Sequence, residues 1–250
     1  MIRIVLSGCC GRMGQVLSHM IAQREDMTVV CGFDANEAAS GAFPIYANPS
    51  EYTGQADVII DFSNAAALDS LLPYCMSQKL PLVLCTTGFS EAQLTALEEA
   101  AKQIPLFRSG NMSLGINVVM ELLRRTATLL GDDFDVEIIE RHHKKKLDAP
   151  SGTALMLADA VAEGLPHESD YVFERESRRQ ERNPRELGIS AVRGGTIVGE
   201  HTVVFAGHDE VIEITHKAYS REIFAKGALD AARYLAGKPA GHYNMSDVIK

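Results

Sequence analysis

"IRIVLSGCCGRMGQVLSHMIAQRED" runs from Ile2 to Asp26, and its reading decides the fold. "IRIVLS" (2–7) is a short apolar run rich in β-branched residues, which favours a strand buried on both faces. From residue 11 the spacing changes. Met13, Val16, Leu17, Met20 and Ile21 fall on one helical face, so 11–26 is expected to be a helix. Gly8, Gly11 and Gly14 punctuate the junction. A glycine-rich turn between a strand and a helix lets backbone approach a phosphate, and the helix start offers unpaired N–H groups with a favourable dipole. The spacing is G-x-x-G-x-x-G rather than the commoner G-x-G-x-x-G, and a tight turn without a ligand is the plain alternative. Asp34, 20 residues beyond Gly14 and just after the strand-like "TVVCGF" (28–33), stands where an acceptor for ribose hydroxyls belongs. A dinucleotide site is therefore expected. A carboxylate there repels a 2′-phosphate, and Ala35 supplies no cation to offset it. NADH is favoured over NADPH, although Arg12 offers a cation to a phosphate.

The alternation continues outward. "ADVIIDFS" (56–63), "PLVLC" (81–85) and "IPLFRS" (104–109) read as further strands. A helix is expected from Asn64 to Gln78, kinked or interrupted at Pro73. Ser90 with Gln93 forms a capping box for the next helix. Apolar strands alternating with helices imply a doubly wound, Rossmann-like parallel sheet covered on both faces. "CTTGF" (85–89) and "SGNM" (109–112) follow its fourth and fifth strands, at the carboxyl ends where such sheets bind ligands. Thr86, Thr87 and Asn111 suit a nicotinamide and its ribose.

After residue 113 the pattern changes to a long apolar helix (113–130), then "DFDVEIIERHH" (133–143), which alternates like a half-buried strand. A helix opens at Ser151, and "ISAVRG", "EHTVVFAG" and "EVIEITHKA" read as strands. An α+β domain with an open mixed sheet is expected at 113–220. Residues 1–112, rejoined by 221–250, form the dinucleotide domain. The mixed-sign stretch 173–187 lacks an apolar face and reads as a mobile surface loop. The five cysteines form no Cys-x-x-Cys pair and read as buried free thiols.

Net charge is −9, which argues against nucleic acid as a partner and gives more meaning to a local basic cluster. No apolar run is long enough to span a bilayer, and the short apolar start does not resemble a signal peptide. A cytoplasmic protein is expected. The basic cluster is His142, His143, Lys144, Lys145 and Lys146, followed by Pro150 and the helix start Ser151-Gly152-Thr153. On an extended strand His142 shares a face with Glu140 and Ile138, and His143 points the other way. Cations beside a helix N-terminus suit a small dicarboxylate, with a histidine to exchange a proton. A solvated basic turn is the bland alternative. Metal binding is disfavoured, because adjacent strand histidines diverge and the lysines repel a cation.

"EIIERHHKKKLDAPSGTA" (137–154), with "GCCGRMG", "CTTGF", "SGNMSLGIN" and "RGGTIVGEHTV" in order along the chain, resembles the dihydrodipicolinate reductases of bacterial lysine and diaminopimelate biosynthesis. The resemblance implies an NAD(P)H-dependent oxidoreductase without a metal. It would form a homotetramer through the second domain and reduce 4-hydroxy-tetrahydrodipicolinate to tetrahydrodipicolinate with loss of water. By the same resemblance His142 is the general acid and Lys146 a second proton donor, while His143, Ser151, Gly152 and Thr153 hold substrate carboxylates. The implied cofactor contacts are Gly8, Cys9, Cys10, Gly11, Arg12, Met13, Asp34, Cys85, Thr86, Thr87, Ser109, Gly110, Asn111 and Met112. Three departures bear on cofactor affinity rather than reaction type: Cys85 in place of a glycine, Cys10 inside the phosphate turn, and Ser109-Gly110 in place of a small apolar pair. Arg193 precedes two glycines and has no assigned role. A different nicotinamide-dependent dehydrogenase, acting on another amino or imino acid, and a dinucleotide sensor without turnover are the competing readings.

Overall fold

The computed structural model describes residues 1–36 and 42–249. The chain divides into two compact units, Met1–Met112 with Glu222–Lys250, and Ser113–Arg221.

The first unit is built on seven parallel strands: β1 (Ile2–Ser7), β2 (Met27–Phe33), β3 (Ile45–Tyr46), β4 (Val58–Asp61), β5 (Leu82–Leu84), β6 (Pro105–Arg108) and β12 (Gly241–Tyr243). Their order is β12-β6-β5-β4-β1-β2-β3. Chain direction reverses its winding at β1, which sits between β4 and β2. Strand side chains alternate between two cores, which explains the continuous apolar runs. Ile4, Leu6, Val58 and Ile60 join helix α1 (Arg12–Ala22) and helix α6 (Glu222–Leu235) in one core. Val5, Ile59, Leu82 and Leu84 join α2 (Leu68–Gln78) and α3 (Glu91–Ala101) in the other. The capping box at Ser90 and Gln93 is present in both directions.

Two expectations are corrected here. The segment after Asn64 begins as a short 3-10 turn (Ala65–Ala67), capped by the Asn64 side chain, before α2 starts. That helix runs through Pro73, which lies on its exposed side. The bond that proline cannot donate would have gone to the carbonyl of Asp69, also on the exposed side and open to solvent. The five cysteines are free thiols, three buried and Cys10 and Cys85 half-buried.

The second unit holds α4 (Leu114–Leu130), β7 (Asp135–His142), α5 (Gly152–Gly164), β8 (Asp170–Val172), β9 (Glu186–Arg193), β10 (Gly199–Ala206) and β11 (Val211–Ala218). Its sheet order is β11-β10-β7-β9-β8. Strand β7 is antiparallel to β10 and parallel to β9, so the sheet is mixed. Helices α4 and α5 cover one face, with Leu123, Ala127, Leu157 and Val161 packed on Val136, Ile138, Ile189, Val203 and Phe205.

The stretch 173–185 lies on the surface, exposed except at half-buried Arg182, and is tied down by ion pairs. Arg175 pairs with Glu186 and, at 2.5 Å, with Glu137. Arg182 reaches Asp135 at 2.5 Å and Glu137 at 3.2 Å, and it donates to the carbonyl of Val136. Arg175 and Arg182 thus pair with the carboxylates of β7, and Arg178 pairs with Glu186 at the start of β9. Glu186 and Leu187 already belong to β9. A short α7 (Met245–Ile249) closes the chain. Among the described residues no helix is long and apolar enough to cross a membrane.

Candidate active site

In the first unit the glycine turn forms because nothing larger fits. Gly8 has φ +74°, and a Cβ there would come 2.7 Å from the Phe62 carbonyl oxygen. A Cβ on Gly14 would come 2.3 Å from the Gly8 carbonyl oxygen. Gly8 donates to the Phe33 carbonyl at 2.8 Å, tying the turn to the end of β2. Helix α1 starts at Arg12 with Gly11 as its N-cap, and no side chain caps it. The first N–H groups, at Arg12 and Met13, are thereby left for an anion. A cavity of about 580 Å³ opens beside the turn, lined by Gly8, Cys10, Gly11, Asp34 and Ser63 among others. Asp34 is held at its rim, accepting the N–H of Cys10 at 2.9 Å and of Asn36 at 3.1 Å. Cys9 is buried, 5% exposed, and packs into the core shared with α1 and α6.

A second cavity, about 340 Å³, lies past the ends of β5 and β6 and is lined by Thr86, Thr87, Gly88, Arg108, Ser109 and Gly110. Thr86 is buried, and its hydroxyl donates to Asp61 at 2.6 Å. Asp61, 2% exposed, also accepts the Ser63 hydroxyl at 2.5 Å. The Ser109 hydroxyl donates to the Asn111 carbonyl at 3.1 Å. Burial pushes the Cys85 thiol well above its ordinary range, and the nearby Asp61 adds to it. Thr86 and Ser109 thus brace their loops, while Thr87 is exposed. Met112 is buried in the same core as α1 and α6. The uncapped helix start, the carboxylate at the rim and the two cavities at strand ends fit a dinucleotide.

In the second unit β7 alternates with Val136, Ile138, Glu140 and His142 buried. This puts a charged residue, Glu140, on an inward face at 0% exposure. Its carboxylate is fully engaged. Oε2 meets His142 Nδ1 at 2.6 Å and accepts Arg193 Nη1 at 2.7 Å. Oε1 accepts Arg193 Nη2 at 2.7 Å and the Ser151 N–H at 3.0 Å. Burial alone would push the Glu140 carboxyl up, but the bonds from Arg193, His142 and Ser151 outweigh it and hold it below its ordinary value. Glu140 is therefore an anion at neutral pH, and only a donor can face it. That assigns a proton to His142 Nδ1 and leaves Nε2 as the ring nitrogen not held by Glu140. Nε2 lies against Gly199, where a Cβ would come within 3.1 Å.

His201 stacks edge-on to His142, with ring centres 5.1 Å apart. It meets the Ser151 hydroxyl at 3.1 Å. Burial, then the neighbouring His142, pushes its pKa down to about 4, so it is neutral. Ser151 caps α5, accepting the Ala154 N–H at 3.2 Å. Its N–H and hydroxyl are thus committed to Glu140, Ala154 and His201, while Gly152 is exposed and Thr153 half-buried at the helix start. Lys146 Nζ pairs with Asp148 at 2.9 Å and holds that carboxyl below its ordinary value. The charge of Lys146 also acts on His201. His143 is half-buried, and its Nδ1 is buried without a hydrogen-bond partner. The structure therefore gathers His142 and Ser151 around Glu140. It adds Arg193, noted in the sequence before two glycines but without a role, and His201, which no local signal in the sequence singles out. Glu140 was legible as a charge sharing the face of His142.

Comparison with known proteins bears on the family of the chain. The family model described as dihydrodipicolinate reductase, N-terminus, matches residues 2–112, and that described as dihydrodipicolinate reductase, C-terminus, matches residues 115–249. A 4-hydroxy-tetrahydrodipicolinate reductase of Clostridium tetani is 48% identical over 249 residues, covering 100% of this chain and 97% of the relative. One from Caldanaerobacter subterraneus subsp. tengcongensis is 49% identical over 250 residues, covering 100% and 99%. Among solved structures, a dipicolinate-bound dihydrodipicolinate reductase from Paenisporosarcina sp. TG-14 superposes with a TM-score of 0.76 at 27% identity, covering 98% of this chain and 97% of that one. With both family models spanning nearly the whole length and full-length relatives near half identical, the chain belongs to the dihydrodipicolinate reductase family.

Proposed function

We propose that this chain reduces 4-hydroxy-tetrahydrodipicolinate to tetrahydrodipicolinate, with loss of water, in lysine and diaminopimelate biosynthesis. The reaction named for its relatives supports the substrate. The observation that carries the mechanism is the His142–Glu140–Arg193 cluster beside the start of α5. A bound reduced nicotinamide supplies a hydride to the ring. Gly8 to Met13 and Asp34 would hold its adenosine and phosphates, and Thr87 with the 109–112 loop its nicotinamide end. The net change replaces ring hydroxyl by hydride and consumes one proton, which leaves in water.

His142 is the proton donor in this reading. Glu140 holds the Nδ1–H and so steadies a doubly protonated ring whose second proton sits on Nε2 for transfer, and Arg193 keeps Glu140 ionised. Lys146 has its own carboxylate partner, Asp148. A substrate carboxylate competes for that ammonium, so the lysine binds the ring and offers a second proton. His143 and the N–H groups at Gly152 and Thr153 hold the carboxylates, and Ser151 holds the helix start in place. Asp34 without a neighbouring cation at Ala35 supports NADH as the preferred cofactor. A homotetramer in the cytoplasm follows from the same reading, and sedimentation of the purified chain should return four chains.

Dipicolinate, the ligand named for the Paenisporosarcina structure, tests the anion site. It is expected to bind the wild-type chain and to bind Lys146→Ala at least about tenfold more weakly, the loss of one charge-assisted contact. Equal affinity in the two proteins removes Lys146 from the substrate site.

A further inference from the structure

The glycine turn carries two thiols beside the Asp34 carboxylate. Cys9 Sγ, Cys10 Sγ and a carboxylate oxygen of Asp34 all lie within 4.8 Å of one another. The two sulfurs are 3.9 Å apart. Zinc holds thiolates at about 2.3 Å in tetrahedral geometry, which places two ligating sulfurs about 3.8 Å from each other. A disulfide requires about 2.05 Å. The spacing matches that of two sulfurs on one cation and is too long for a disulfide. We propose that Cys9, Cys10 and Asp34 form a site for a thiophilic divalent cation, zinc or cadmium, and that its occupation excludes the dinucleotide.

Each ligand is positioned by its surroundings. Cys9 Sγ fills a slot over β2 that exists because residue 32 is glycine, where a Cβ would come 2.4 Å from the sulfur. The Cys10 N–H and the Asn36 N–H hold the Asp34 carboxylate toward the turn. Cys10 and Asp34 line the 580 Å³ cavity, which gives an ion its path. Cysteine sulfur suits zinc and cadmium better than magnesium or calcium, which prefer all-oxygen sites. Burial, then Cys10 and Asp34, pushes the Cys9 thiol up to about 12, and burial also raises Cys10. Both are thiols at neutral pH. Binding forms two metal–sulfur bonds and releases two protons to solvent, with Asp34 as third ligand and water completing the shell.

The exclusion rests on the proposed dinucleotide site. Asp34 cannot accept from the adenosine ribose while it ligates a cation, and a metal on Cys10 stands inside the phosphate turn. Competition of this kind is reciprocal: each ligand weakens the other by the same factor.

The test uses the purified full-length chain after chelator treatment. Cadmium is expected to raise the ultraviolet thiolate-to-cadmium charge-transfer band and to saturate it at one ion per chain. Cys10→Ser is expected to weaken this binding by at least about tenfold, one of two thiolate ligands being lost. NADH binding, followed by nicotinamide fluorescence, is expected to weaken at least about tenfold when zinc saturates the site. No band at one equivalent, an undiminished band in Cys10→Ser, or NADH affinity indifferent to zinc overturns the proposal. Absence of NADH binding without any metal overturns the dinucleotide reading, and with it the exclusion, while the cadmium band still reports on the cation site by itself.

Discussion

Glu140→Gln removes one charge and no volume, and its consequences follow from the bonds at that carboxylate. Four donors converge on it: His142 Nδ1 and Arg193 Nη1 on one oxygen, Arg193 Nη2 and the Ser151 N–H on the other. A glutamine amide has one oxygen and one NH₂ group. Whichever way it turns, its NH₂ meets a guanidinium N–H, so one donor always faces another. If the NH₂ turns toward His142, the ring must also give up its Nδ1 proton and carry it on Nε2 instead. In either orientation the Arg193 cation loses its counter-charge at a site where Glu140 is 0% exposed. Breaking a buried ion pair from one side costs about 3–5 kcal/mol. Denaturant unfolding should therefore show a loss of about 3 kcal/mol or more in the second unit. Turnover should fall by about 10²- to 10⁴-fold, the range for a general acid whose proton is displaced, with substrate KM changing less. NADH affinity should stay at the wild-type value, because the residues proposed to bind it lie in the other unit. The ¹⁵N resonances of His142 report the tautomer directly. A stability loss under about 1 kcal/mol, with kcat within about threefold of wild type, would refute the positioning role of Glu140.

Two other predictions concern pH and cofactor choice. His201 has its pKa lowered to about 4 from 6.5. Between those values the unfolded chain binds a proton that the folded chain does not, so stability is full above about 6.5 and is lost as pH falls toward 4, by up to about 3 kcal/mol. His201→Gln should flatten that part of the profile, and parallel profiles for the two proteins would contradict it. Asp34→Ala with Ala35→Arg should move the ratio of NADPH to NADH affinity by at least about tenfold, since a carboxylate is replaced by a cation at the 2′ position. An unchanged ratio would transfer that role to Arg12 or another cation.

The sequence was most legible where structure is local. The strand, the glycine turn and α1 are contiguous, and strands buried on both faces announce themselves as apolar runs. The same alternation placed His142 and Glu140 together on β7. Strands β3, β8 and β12 were missed, because two or three residues carry no periodicity and each is defined by its partner. Strand β12 pairs with β6 through Gly241 and Pro105, from opposite ends of the first unit. Arg193 lies 53 residues from Glu140, and His201 lies 50 from Ser151. Only the register of β7 between β9 and β10 brings them together, and one sequence does not reveal that register. Pro73 misled because proline's effect depends on whether its turn faces solvent. The arginines of 173–187 misled because their carboxylate partners are spread over Asp135, Glu137 and Glu186.

The central claim is reduction of the hydroxylated ring dicarboxylate. The most direct measurement follows loss of reduced nicotinamide absorbance with NADH and with NADPH, the substrate being made in situ from pyruvate and aspartate semialdehyde by a coupling synthase. Rapid, substrate-dependent oxidation, faster at low concentration with NADH and lost in His142→Gln, is the result predicted. Binding of NADH with no oxidation on adding substrate would contradict the claim, leaving a dinucleotide site attached to some other chemistry.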